Sequence, residues 1–398
     1  MLRLLPLFLV SSLLHAWIGW RLAPALAGLP LTEFTLWAAL IASALLMPMG
    51  LLARRVGRGA LSVLLAWSGL LFMGLFSTLF MLTLMRDALL LLVWGLTELG
   101  QRAGLNPVAL DSLPQWSALA VLGLSVAGTL WGLWGARRTA RVVRVDVPIA
   151  GLPAALHGFT VAQISDIHVG PTIGQAYLRR IVARVNALEV DMVAITGDLV
   201  DGSVAELQPH VAPVSELKSR HGTFFVTGNH EYYSGAHAWV TELRRLGVTV
   251  LMNQHVVLQH DSGHAADASS PTRSASTIVI AGVADYGAHH FDESHRSDPV
   301  AALAGAPVAA QMRLLLAHQP RSAAAASAAG FHLQLSGHTH GGQFWPWMYF
   351  VKFQQPFSSG LKRLNQLWVY TNRGTGYWGP PKRLGSASEI THLRLVTA

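Results

Sequence analysis

Long apolar runs separated by small charged clusters occupy the first third of the chain. Stretches without a charged residue span 4–20, 34–53, 59–85 and 112–136. Three of the four reach the ~20 residues a helix needs to cross a hydrocarbon core, so the pattern predicts four membrane-spanning helices. Ala88–Thr97 is apolar but too short to cross alone. It is expected to lie along the membrane surface or against the bundle. From about residue 151 the pattern changes to short β-rich runs alternating with helical stretches, an α/β signature. Strands are expected at Thr160–Ile164, Met192–Thr196, Thr223–Thr227, Thr277–Gly282, Arg313–Ala317, His332–Leu335, Leu367–Thr371 and Ile390–Val396. Helices are expected at Gln175–Leu188, Ala236–Leu246 and the Ala-rich stretch after Pro320. Gln259–Ser276, polar and aperiodic, reads as a loop inserted between strands. The domain boundary is placed between residues 145 and 146.

Charge sharpens this division. Residues 1–150 hold 11 Lys/Arg and 5 Asp/Glu, and residues 151–398 hold 18 and 16, so most of the net +8 belongs to the apolar part. A nucleic-acid footprint would cluster on the soluble part; here the arginines flank apolar runs, which argues against a nucleic-acid partner. Arg54, Arg55 and Arg58 follow the second run, and Arg137, Arg138, Arg141 and Arg144 follow the fourth. By the positive-inside rule both clusters face the cytoplasm, which predicts a multi-pass protein of a bacterial inner membrane with everything after residue 145 cytoplasmic. The first span is the weakest of the four, because Arg3, the apolar run and Ala25-Leu26-Ala27 also resemble a signal peptide with its cleavage site. The absence of cysteine excludes disulfides and thiolate ligands.

Histidine is distributed the other way, with 17 of 18 after residue 150. Asp166/His168, Asp198/Asp201, Asn229/His230, His318 and His338/His340 each come just after an expected strand. Ligands of α/β sheets bind beyond the carboxyl ends of strands, so separate strands can deliver these groups to one edge. Asp166-Ile167-His168 places two ligand types at i and i+2, which project to the same side in extended backbone. Gly197-Asp198-Leu199-Val200-Asp201 adds a carboxylate able to bridge two ions, Asn229 an amide oxygen, and Gly337-His338-Thr339-His340-Gly341-Gly342 two imidazoles in a glycine-rich turn. Mixed Asp/His/Asn ligands suit divalent Mn, Fe or Zn. The remaining histidines, His221 and His260 among them, show no such pattern and are expected to be core or surface residues.

In this order the blocks resemble the calcineurin-like metallophosphoesterase superfamily, whose series is D-x-H, G-D-x-x-D, G-N-H-E, H and G-H-x-H. The strings Ala317–Pro320 and Gly337–Gln343, with a multispan N-terminus, look like its branch of transmembrane metallophosphoesterases and membrane-associated UDP-2,3-diacylglucosamine pyrophosphatase-like proteins. The resemblance implies an α-helical transmembrane region followed by an α/β metallophosphoesterase domain, a β-sandwich flanked by helices. It implies that Asp166, His168, Asp198 and His340 hold one metal, and that Asn229, His318, His338 and the shared Asp198 hold the other. It further implies in-line attack on phosphorus at a two-metal site, with His230 as catalytic acid or transition-state stabiliser, Asp201 orienting it, and Glu231 in support.

Arg373, after a strand, is a candidate phosphate contact, and Asp285 could approach the site. Trp345 and Trp347, in the aromatic run Phe344–Phe350, are candidate contacts for a lipid substrate at the membrane interface; the other reading is that these rings pack on the sandwich. The expected activity is hydrolysis of a phosphodiester or pyrophosphate, with a lipid-linked UDP-diacylglucosamine-like molecule as one substrate. A phosphomonoesterase or protein phosphatase on the same metals, a non-enzymatic membrane scaffold and a membrane channel or transporter with a regulatory domain stay open as alternatives. No obligate protein partner is implied.

Overall fold

The computed structural model describes residues 5–53, 59–105, 110–261 and 275–398. The chain divides into two compact units, one of Met1–Trp134 with Gly379–Leu384, the other of Gly135–Trp378 with Gly385–Ala398.

The first unit is helical: α1 (Leu5–Leu22), α2 (Pro30–Leu51), α3 (Gly59–Arg102) and α4 (Leu113–Arg137). All four are long and apolar enough to cross a membrane. Close packing of α2 on α3 depends on small residues, because a Cβ on Gly69 would lie 2.3 Å from the Leu46 carbonyl oxygen. Ala88–Thr97 is not the separate surface segment expected from its length; it continues α3, which runs for 44 residues. At ~1.5 Å per residue that is about 66 Å, roughly twice the hydrocarbon thickness. The charged pair that interrupts the apolar run does not break the helix because both members find partners. Arg86 donates to Ser117 Oγ and to the carbonyls of Arg21 and Pro114, and Arg21 forks onto Asp87 at 2.8 and 3.1 Å. Lys382, on the hexapeptide that returns to this unit, donates to the Gly74 carbonyl at 2.8 Å and bonds Thr78 Oγ1. The cluster Arg54, Arg55, Arg58 lies outside the described residues.

The second unit is a sandwich of two six-stranded sheets among the described residues. One sheet contains β1 (Arg141–Ile149), β2 (Thr160–Ile164), β3 (Met192–Ile195), β4 (Thr223–Phe225), β5 (Thr249–Val250) and β12 (Glu389–Thr397), in the order β1-β12-β2-β3-β4-β5. The other contains β6 (Gln254–His260), β7 (Ser276–Gly282), β8 (Met312–Leu316), β9 (Leu333–Ser336), β10 (Gly360–Leu364) and β11 (Leu367–Thr371), in the order β10-β11-β9-β8-β7-β6. Val161, Met192, Ala194 and Phe224 from the first sheet meet Ile278, Leu314, Leu333 and Leu335 from the second in one inter-sheet core.

Helices cover the outer faces. The stripe Tyr177, Leu178, Ile181, Val182, Val185 of α5 (Gln175–Asn186) and Trp239 and Leu243 of α8 (Ala236–Arg245) pack on the first sheet. The Ala-rich helix α9 (Ala323–Ala328) packs on the second. In chain order α6 (Val204–Val211) and α7 (Asn229–Ser234) come between α5 and α8. This is the α/β sandwich with flanking helices that was expected. β1 begins ahead of the boundary expected at residue 145, and the expected loop Gln259–Ser276 gives up Gln259, His260 and Ser276 to β6 and β7. Residues 262–274 of that loop lie outside the described residues.

Candidate metal centre

β2, β3 and β4 run parallel in one sheet, and β8 and β9 run parallel in the other. Their carboxyl ends therefore open on a common edge, and each polar block of the sequence lies in a turn leaving one of these strands. The turns are laced together: Asp166 N donates to the Gly197 carbonyl at 3.0 Å, and His168 N to that of Asp198 at 3.1 Å. Two glycines permit the approach of the other turns. A Cβ on Gly228 would lie 2.2 Å from Asp198 Oδ1, and one on Gly337 would lie 2.2 Å from Asp166 Oδ2.

The backbone here corrects one expectation. Asp166 and His168 are not in extended conformation, and the same holds for the other ligand-type pairs. Asp166, His168, Asp198, His338 and His340 have φ between 51° and 69°. That left-handed region costs a non-glycine residue about 1–2 kcal/mol, and its concentration at one place is typical of functional sites. Left-handed turns, rather than strand alternation, bring both members of Asp166/His168 inward.

Six of the seven expected ligand residues fall into two close groups. Asp166, His168 and His340 form one group of donor atoms within 4.8 Å of one another, and Asp198, His318 and His338 form another. Ring nitrogens face each other within both groups: His168 Nε2 lies 3.1 Å from His340 Nε2, and His318 Nε2 lies 3.2 Å from His338 Nδ1. Asp198 Oδ2 lies between the groups, 3.1 Å from His318 Nε2 and 3.9 Å from His168 Nε2. Asn229 Oδ1 is buried and accepts no hydrogen bond among the described residues. A buried orphan acceptor costs ~1–3 kcal/mol, and a cation beside it removes that cost. With ring nitrogens facing one another and two buried carboxylates, this donor set fits divalent metal ions.

Glu231 stands behind the centre. Its carboxylate accepts from the backbone N–H groups of Asp198, Leu199, Val200 and Gly228, at 2.7 to 3.3 Å, and so holds two ligand-bearing turns. Asp201 Oδ1 joins His168 Nδ1 at 2.9 Å and His230 Nδ1 at 2.6 Å. Burial disfavours a charged His230, but the hydrogen bond to Asp201 and the charges of Asp198 and Asp201 outweigh it and raise its pKa to about 9. Asp201 itself is held well below the usual carboxylate range: burial opposes this, and the His168 and His230 contacts prevail. His338 is pushed down to about 3, by burial first and by the His318 charge next, so it is a neutral imidazole with a lone pair to offer.

The outer candidates divide. Arg373 borders the site, since a Cβ on Gly341 would lie 3.1 Å from its Cγ, and its guanidinium is 3.5 Å from Glu389. Asp285 is buried and accepts from Gln319, the residue after His318. Trp345 is half-buried, while Trp347, Tyr349, Phe350 and Phe353 are 47 to 78% exposed, so most of this run is aromatic surface rather than packing. The sequence reading missed Tyr233 and Trp378, which flank His230 with ring centroids at 5.2 and 5.7 Å. Tyr233 follows Gly228–Glu231 closely enough to have been suspected. Trp378 carries no local signal.

A family model described as calcineurin-like phosphoesterase matches residues 159–342. The zebrafish (Danio rerio) protein called transmembrane protein with metallophosphoesterase domain is 38% identical over 285 residues, which cover 70% of this chain and 63% of that protein. Its namesake from Bos taurus is 38% identical over 323 residues, covering 79% and 69%. An uncharacterized metallophosphoesterase of Campylobacter jejuni is 33% identical over 279 residues, covering 70% and 69%.

Proposed function

The chain belongs to the calcineurin-like phosphoesterase family, and from that premise we propose that it is a membrane-anchored hydrolase of phosphodiester or pyrophosphate bonds. The observation that carries this reading is the grouping of Asp166, His168 and His340 beside Asp198, His318 and His338, with Asn229 Oδ1 buried and, among the described residues, unpaired. Two divalent ions (Mn, Zn or Fe), one held by Asp166, His168, Asp198 and His340 and one by Asn229, His318, His338 and the shared Asp198, would supply charge neutralisation and an activated nucleophile. His230 gives a proton to the leaving oxygen from Nε2, the nitrogen left when Asp201 takes Nδ1. Asp201 fixes that tautomer and orientation. Arg373, at the rim, meets a substrate phosphate.

The exposed aromatic surface after His340 supports a lipid-linked substrate of the UDP-diacylglucosamine type, because Trp and Tyr pair an apolar body with a polar tip. Purified protein with Mn or Zn is expected to turn over a soluble phosphodiester and a lipid-linked pyrophosphate faster than a phosphomonoester. Trp345→Ala with Trp347→Ala is expected to spare the soluble diester and lower turnover of the bilayer-embedded substrate roughly tenfold. Preference for the monoester would make the protein a phosphomonoesterase instead. Equal loss on both substrates with a lower Tm would reduce the two tryptophans to packing.

Arg137 at the end of α4 and Arg138, Arg141 and Arg144 after it support a cytoplasmic catalytic domain in a bacterial inner membrane. Reporter fusions placed after residue 150 are expected to be active only as cytoplasmic reporters. Activity of a periplasmic reporter at that position reverses the topology.

A further inference from the structure

The strands that carry the metal centre at their carboxyl ends have a second set of ends, and there three other ligand-type side chains meet. Asp191 immediately precedes β3, His221 lies just ahead of β4, and His260 closes β6 of the other sheet. His221 Nε2 lies 3.0 Å from His260 Nδ1, and His260 Nδ1 lies 3.9 Å from Asp191 Oδ1. The three donor atoms are within 4.8 Å of one another. Facing ring nitrogens at this spacing recur at His168/His340 and His318/His338, 3.1 and 3.2 Å apart. A tetrahedral ion ~2.0–2.1 Å from each donor requires ligand atoms roughly 3.3 Å apart, which these positions approach.

The surroundings hold the three groups in place. Asp191 Oδ2 accepts from Thr160 N at 2.8 Å and from Thr160 Oγ1 at 2.9 Å, so Oδ1 is the oxygen directed to the histidines. Such fixing of a carboxylate through its far oxygen is what outer-shell partners do at metal sites. The buried Phe159 ring stacks on His221 at 6.0 Å and meets His260 edge-on at 4.9 Å. Arg220 is occupied by the Asp261 carboxylate and carbonyl, and its Nη1 lies 4.0 Å from Asp191 Oδ1. Burial lowers the pKa of both histidines, which leaves them neutral with lone pairs to donate.

We propose that Asp191, His221 and His260 bind a zinc ion at a second site, separate from the catalytic centre, with the fourth position open to solvent. Two imidazoles and one carboxylate without thiolate match zinc's usual nitrogen and oxygen ligands. Because Asp191 and His221 belong to one sheet and His260 to the other, the ion staples the sandwich at the end opposite the catalytic chemistry. It also clamps the base of the β6–β7 hairpin, where His260 pairs with Ser276.

The test uses full-length protein in detergent carrying Asp198→Asn and His338→Ala to disable the catalytic centre, stripped with chelator and titrated with zinc chloride. About one equivalent of zinc is expected to bind and to raise Tm. Adding His221→Ala and His260→Ala should lower the stoichiometry by about one and erase the zinc-dependent rise. Asp191→Asn can keep the Thr160 bonds through its amide oxygen, so it serves if the histidine variants fold poorly; it should weaken zinc binding about tenfold or more. Identical zinc binding in all variants, or none at this end of the sandwich, leaves His221 and His260 as a hydrogen-bonded pair and overturns the proposal.

Discussion

Replacing Asp198 with Asn is expected to remove bound metal and turnover together, with kcat/KM falling by about 10³-fold or more, or roughly 4 kcal/mol. Asp198 is the one carboxylate whose Oδ2 stands between the two histidine groups, and Oδ1 also accepts from His230 N at 2.8 Å. Without its charge, the remaining imidazoles and the Asn229 amide face each other with Asp166 as the sole carboxylate in the ligand set. Asn is the informative substitution because the residue sits at φ 51°, a conformation that Asn tolerates better than Ala. Metal content by elemental analysis and turnover of a soluble diester should fall in parallel. Full metal content with full activity in D198N would remove Asp198 from the centre.

With His230 as the proposed proton donor, His230→Ala is expected to separate proton transfer from metal binding. The variant is expected to keep its metal and lose about 10²–10⁴-fold in kcat, the usual contribution of a general acid. The loss should be greater for an alkyl leaving group, which needs the proton, than for a nitrophenyl leaving group, which does not. Equal losses on the two esters would make His230 a transition-state stabiliser rather than an acid. His230 also lies within 4.8 Å of His168 and Asp198, so metal lost from H230A would reassign it as a ligand. Asp201→Asn is less clean than H230A, since Asp201 Oδ1 also holds His168.

Local pattern determined much of this protein. The apolar runs are long enough that helices of spanning length follow from composition, and eight strands are legible as short apolar runs because they lie inside their sheets. β2, β3, β4 and β12 have neighbours on both sides in one sheet, as do β7, β8, β9 and β11 in the other. Covered by the second sheet on one face and by helices on the other, strands such as β3, β7 and β8 read as near-continuous apolar runs. The ligand-type residues were visible for the same reason, since each follows an interior strand. The four strands that went unread, β1, β5, β6 and β10, are the edges. β1 alternates Arg141, Arg144 and Asp146 with its buried positions and tolerates Pro148, as edge strands do, and it is recognised only through its partner β12, where Asp146 meets Arg394 at 2.7 Å.

Tertiary structure alone decided what depends on distant neighbours. The continuation of α3 through Arg86 and Asp87 required Arg21, Pro114 and Ser117 to satisfy those charges. The left-handed turns at five ligand residues are held by the lacing of one strand's turn to the next and by glycines whose missing side chains leave room for carboxylates. Asp191, His221 and His260 stand at separate strand ends and carry no recognisable spacing; they meet only because the two sheets stack. Periodicity records which face of an element is buried, whereas register and stacking set which buried groups touch, and these arise from packing between segments far apart in the chain.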